Sequence, residues 1–85
     1  MANLTARQVL DYTEQMVNAR PIAKREWVAV KGQQACITII RDSFQGSNYE
    51  AVVVATNGQS RITWGKNSRN LLASVKRDII RTLES

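Results

Sequence analysis

From Leu4 to Ala19, apolar residues recur three and four positions apart, the spacing of one helix face. Val9, Tyr12, Met16 and Ala19 form the stripe, and Leu10, Thr13 and Val17 widen it. Arg7, Asp11, Glu14, Gln15 and Asn18 fall on the opposite side. The helix start is marked by Thr5-Ala6-Arg7-Gln8, a capping box in which the Thr5 hydroxyl accepts from a backbone N–H and the Gln8 side chain reaches back to the cap. Leu4 and Val9 flank the cap as a hydrophobic staple. Pro21 disfavours helical geometry at the residue before it, so the pattern predicts a helix over about 5–20.

From Trp27 the period changes to that of strands. Trp27–Val30 is a short candidate ended by Lys31-Gly32. Residues 35–40, extended to Phe44, and 49–56 are rich in β-branched residues. Asn57-Gly58 carries the signal of a two-residue type I′ hairpin. That loop would pair Val54 with Arg61, Val53 with Ile62 and Ala51 with Trp64. Tyr49, Ala51, Val53, Ile62 and Trp64 would then line a core face, and Glu50, Val52, Val54, Arg61 and Thr63 a wet one. Gln45-Gly46-Ser47-Asn48 joins the preceding strand to this hairpin. A second helical stripe, Leu71, Leu72, Val75, Ile79 and Leu83, runs almost to the C-terminus, with Asn67 or Ser68 suited to its N-cap. The expected fold is α+β: an N-terminal helix, a three- or four-stranded antiparallel sheet and a C-terminal helix. Both helices are expected on one sheet face, the economical way to bury two apolar stripes.

The chain has 85 residues, 44% apolar and 22% charged, which fits a single domain over residues 1–85 with one thin core. No apolar run reaches the roughly 18 residues of a membrane span, and MANLTARQ lacks a signal-peptide pattern, so a cytoplasmic protein with no membrane partner is expected. Cys36 is the one cysteine and sits in the apolar run ACITII, where it reads as a buried hydrophobe. With no histidine and one cysteine, zinc-type ligand sets and histidine triads are unavailable. The seven acids form no paired motif. The expectation is a protein without cofactor or metal that is not an enzyme.

Charge changes that picture more than composition does. The net charge is +5 with an isoelectric point near 10, and it is concentrated in two blocks. The first is Arg20, Lys24, Arg25 and Lys31; the second is Arg61, Lys66, Arg69, Lys76, Arg77 and Arg81. Such blocks suit phosphates if the fold joins them. The heptapeptide WGKNSRN opens the last helix, and its Gly65-Lys66 invites comparison with a P-loop. Ser60 stands where that motif needs its first glycine, and Asn67 follows Lys66 directly, so the stretch reads as a turn at Gly65 and a helix cap, with Lys66 and Arg69 beside free N–H donors. Trp27 and Trp64 are assigned to the core, with base stacking as the alternative.

The stretch WGKNSRNLLASVKRDIIRTL loosely resembles the end of a double-stranded RNA-binding domain, a family with a helix, three antiparallel strands and a second helix whose N-terminus meets phosphates. Lys66 and Arg69 would stand in for its lysines. The consecutive lysines at the helix start and a Gly-Pro-x-His loop are absent, and Leu and Ile replace the family's alanines, so the likeness is one of topology. The function expected is a small nucleic-acid-binding or regulatory module, for DNA or RNA, that contacts phosphates through Lys66, Arg69, Arg77 and Arg81, joined by Arg61, Lys24 and Arg25. The alternative is a protein-interaction module, a small inhibitor or adaptor or a homodimer, using the open sheet face around Val52 and Val54 or a sheet edge.

Overall fold

The computed structural model describes residues 3–41 and 48–85. Helix α1 (Ala6–Val17) is followed by strands β1 (Ile22–Val30), β2 (Gln33–Arg41), β3 (Tyr49–Ala55) and β4 (Ser60–Gly65), then by helix α2 (Ser68–Glu84). The strands form one antiparallel sheet in sequence order. The predicted continuation to Phe44 and most of the loop Gln45-Gly46-Ser47-Asn48 lie outside the described residues.

The α1 capping box forms as predicted: Gln8 N–H donates to Thr5 Oγ1 at 3.1 Å and Thr5 N–H to Gln8 Oε1 at 2.9 Å. The helix ends three residues before the predicted Arg20, because Asn18 and Ala19 both take left-handed backbone angles. Val9, Thr13 and Val17 are its buried line, whereas Met16 is half-buried and Tyr12 half-exposed. The stripe is therefore rotated from the Val9-Tyr12-Met16-Ala19 line. The stripe of α2 is as read: Leu71, Leu72, Val75, Ile79 and Leu83 are its buried residues.

The helices pack on opposite sides of the sheet, which corrects the expectation of one shared face. One cluster joins Ala35, Ile37, Ile39, Ala51, Val53 and Ala55 to the α2 stripe. The other joins Cys36, Ile40, Val52 and Val54 to Val9 and Val17 of α1. Alternate residues of the same two strands feed the two clusters, so β2 and β3 are buried on both faces. Near-continuous apolar runs are the pattern that two-sided burial demands.

The type I′ turn expected at Asn57-Gly58 forms instead at the first hairpin. Lys31 and Gly32, both at positive φ, form the two-residue type I′ loop between Val30 and Gln33. After β3 the loop has three residues: Gly58 N–H donates to Ala55 O, Ala55 N–H to Gln59 O, and Gly58 alone has positive φ there. That is a type I turn closed by a glycine bulge. The extra residue shifts the register by one: Val54 pairs with Ser60, Val53 with Arg61, Val52 with Ile62 and Glu50 with Trp64. Every β4 side chain thus moves to the face opposite the predicted one. Ile62 and Trp64 lie on the α1 side, exposed, and Val52 and Val54 are buried beneath α1 rather than facing solvent. Strand β1 begins at Ile22, five residues earlier than predicted, as an edge strand with a register irregularity between Ile22 and Lys24.

Two polar devices tie α1 to the sheet. Thr56 accepts Leu4 N–H at its carbonyl, donates its own N–H to Gln34 O and uses its hydroxyl between Gln34 N–H and Gln33 Oε1. At the other end, Arg20 grips buried Glu50 through two bonds of 2.9 and 2.8 Å and donates to the carbonyls of Met16 and Val17. One guanidinium thereby caps the helix C-terminus and neutralises a carboxylate inside the fold.

Candidate nucleic-acid interface

Helix α2 is set by its cap. Asn67 Oδ1 accepts Asn70 N–H at 3.0 Å, so Asn67, one of the two candidates read from sequence, is the N-cap. Gly65 has no positive φ, and a β-carbon there would meet Leu71 Cδ1 at 3.3 Å, a tight contact that a few tenths of an ångström of movement in the leucine would relieve. With the apolar stripe turned to the sheet, helical spacing directs Asn70, Ser74, Arg77 and Arg81 outward and sets Arg69 and Lys76 on one flank. Arg69 and Arg81 stand about 18 Å apart along the axis.

The structure divides the predicted site residues between its two sides. Arg77, Arg81 and Arg69 lie on exposed α2, and Lys66 on the link that enters it. These four make no hydrogen bond or ion pair among the described residues. Lys24 and Arg61 occupy strand positions on the α2 side, by their pairing with Ile39 and Val53, but at opposite edges of the sheet, about 14 Å apart at ordinary strand spacing. They flank α2 without meeting. Arg25 is carried away from this group: it pairs with Thr38 on the α1 side, where Nε donates to Thr38 Oγ1 at 3.0 Å and Nη2 meets Glu14 Oε1 at 2.5 Å.

Two further cations join α2 that were not among the predicted contacts. Lys76 Nζ meets Glu26 Oε2 of β1 at 2.5 Å, and Lys31 Nζ donates to Glu84 O at the helix C-terminus. The hydrogen bond from Lys76 is the main cause that holds the Glu26 carboxyl below its ordinary value of 4.5. Partial burial opposes it, and the charges of Lys76 and Lys24 add to the lowering.

The division of charge is sharp. On the α1 side Arg7, Arg20 and Arg25 face an equal number of acids, Asp11, Glu14 and Glu50. Around α2 stand Lys24, Lys31, Arg61, Lys66, Arg69, Lys76, Arg77 and Arg81 against Glu26, Asp78 and Glu84, eight cations to three anions. Arg41, paired with Tyr49 at the end of β2, also falls on the α2 side by alternation, so among the described residues the excess positive charge gathers there. Among the described residues, the exposed large apolar side chains take the other side. Ile22, Trp27, Ile62 and Trp64 point to the α1 face of the sheet, and Tyr12 is on α1 itself. The two tryptophans are 41% and 56% exposed, contrary to their assignment to the core. They are exposed because α1 lies over β2 and β3 alone, leaving both edge strands uncovered on that face.

Comparison with family models, curated proteins and solved structures returned no match to this chain. The topological likeness to the double-stranded RNA-binding domain also stops short, since the sheet has four strands where that family has three.

Proposed function

We propose that the protein binds nucleic acid through its α2 side, contacting backbone phosphates with Lys66, Arg69, Arg77 and Arg81 and with little preference for sequence. The observation that carries this reading is the segregation of charge: eight cations to three anions around one helix, and balance on the opposite side. Arg77 and Arg81 are four residues apart, a like-charge spacing that costs an isolated helix roughly 0.2–0.5 kcal/mol. A like-charge pair on a surface that packing does not constrain fits a ligand-facing position. Among the described residues, exposed aromatic rings are confined to the α1 side, and none stands beside the arginines as a stacking platform for unpaired bases. Backbone contact to a duplex suits this surface better than capture of a single strand.

The experiment is binding of labelled duplex and single-stranded DNA and RNA across a salt series, with wild type beside Arg77→Glu/Arg81→Glu. Four phosphate contacts give a slope of log K against log salt of about −3.6 on duplex DNA, and the double variant loses binding at every salt concentration. No binding at low salt, or equal binding by the variant, overturns the reading.

A further inference from the structure

Strand β4 is an edge of the sheet with no neighbour among the described residues, and it carries a self-complementary pattern. Ala55 N–H bonds to Gln59 O, and alternation from that pair turns the N–H and C=O groups of Arg61, Thr63 and Gly65 toward β3. Those of Ser60, Ile62 and Trp64 therefore point away from the sheet, and the same three residues send their side chains to the α1 face. The other edge is protected: β1 has a register irregularity and the successive charges Lys24, Arg25 and Glu26. Strand β4 has no irregularity, no proline and a single charged residue, Arg61. Between α1 and β4 on the same face is a depression of about 310 Å³ lined by Leu4, Tyr12, Met16, Val54, Gly58 and Ser60.

We propose that two copies of the chain associate by antiparallel β4–β4 pairing centred on Ile62, with Trp64 of each copy seated in the α1–β4 depression of the other. The register follows from which backbone groups are free. Pairing about Ile62 matches all three outward-bonding residues, with Ile62 opposite Ile62 and Ser60 opposite Trp64. Pairing about Thr63 leaves Ser60 without a partner inside the strand. With Trp64 opposite Ser60, the indole crosses a small side chain at the lip of the depression, which is mostly apolar. Projection and recess thus occur on one chain at positions that a two-fold axis exchanges, the mark of an isologous interface. An unrelated strand added to β4 would satisfy the backbone but would have to bring both a side chain for the depression and a cover for Trp64, which a second copy already carries.

Size sets what the contact must supply. A specific interface takes roughly 800 Å² from each partner, about one seventh of the 5493 Å² surface of this chain. A six-residue strand edge is about 20 Å long, and the tryptophan exchange extends the contact from that edge onto the flank of α1. The axis stands perpendicular to the sheet, so the paired sheet has eight strands and both α2 helices lie on one side of it.

Sedimentation velocity over a dilution series, without nucleic acid, tests the proposal. Wild type is expected to show a monomer–dimer equilibrium, and Trp64→Ala to weaken it by roughly thirty-fold or more while keeping the wild-type circular dichroism spectrum, since Trp64 is exposed in the single chain. Register is read by cross-linking. Ile62→Cys places two thiols across a hydrogen-bonded pair with Cα atoms about 5.5 Å apart, within disulfide reach, whereas Ser60→Cys holds its thiols about 14 Å apart. Native Cys36 is buried and silent. Rapid dimer formation by Ile62→Cys and not by Ser60→Cys supports the pairing. A monomer at the highest soluble concentration overturns it and directs the β4 edge to another protein. Undiminished dimerisation of Trp64→Ala, or equal cross-linking at both positions, overturns it as well.

Discussion

Arg20 shows how far a side chain's role depends on where its neighbours fold. In sequence it opens a basic block; in the structure it is spent inside the protein, bonded to Glu50 and to two carbonyls of the last α1 turn. Its removal strands a carboxylate that is 6% exposed. Breaking a fully buried pair costs about 3–5 kcal/mol. Arg20 keeps a third of its side-chain exposure, so Arg20→Met is expected to cost about 2–3 kcal/mol, lowering Tm by roughly 10–20 °C for a domain of this size. Arg20→Met/Glu50→Leu should recover most of the loss, because no charge is then left buried. Urea denaturation of the three proteins checks this, and a double variant no better than the single one contradicts the account of Glu50. No local spacing could have revealed the pair, whose partners are thirty residues apart. The Thr5–Gln8 box and the Asn67 cap, by contrast, were legible because both partners lie within one helical turn.

Helix α2 is clipped to the edge strand β1 by Lys76 and Glu26, a contact that sequence periodicity could not foresee because it needs the order of the strands. The Glu26 carboxyl is depressed in the folded state. The pair therefore adds stability above the ordinary carboxylate value, and that contribution is lost as pH falls through the depressed folded value. An NMR titration of the Glu26 side chain is expected to give a midpoint below 4.5, and Lys76→Met to move it upward; an unmoved midpoint would show that Lys76 is not the cause. The hairpin after β3 carries a different lesson. Asn57-Gly58 correctly marks the turn, but Thr56 is held by four hydrogen bonds to residues 4, 33 and 34, and the loop closes one residue earlier in β3 than a type I′ loop would. Because side chains alternate, that single residue exchanges the two faces of β4 and brings Ile62 and Trp64 to the surface.

For the molecule as a whole, the sheet acts as a divider: charge gathers over one face and exposed apolar groups over the other. The two proposals occupy different faces and can fail independently, yet they make a joint prediction. If dimers carry both basic helices on one side, a duplex long enough to span them meets about eight phosphate-contacting cations instead of four. The salt slope is then expected to approach about −7 for the dimer and return to about −3.6 for monomeric Trp64→Ala. Measuring both proteins on the same duplex separates the cases: equal slopes break the link between dimer and binding surface, whichever proposal survives.

The elements, the helix caps, the stripe of α2 and the α+β class follow from the sequence alone, since each depends on contacts within a few residues or on a period of side-chain direction. Which face of the sheet each helix covers was decided by tertiary packing. The uninterrupted runs of β2 and β3 were consistent with cover on both sides, but sequence-local arguments favour one shared face equally well, and only the packed core distinguishes them. The same holds for charge. Arg25 and Lys24 are neighbours in the chain and point to opposite sides of a strand, one toward an acid of α1 and the other toward the basic layer, because a strand separates adjacent side chains and the sheet keeps them apart.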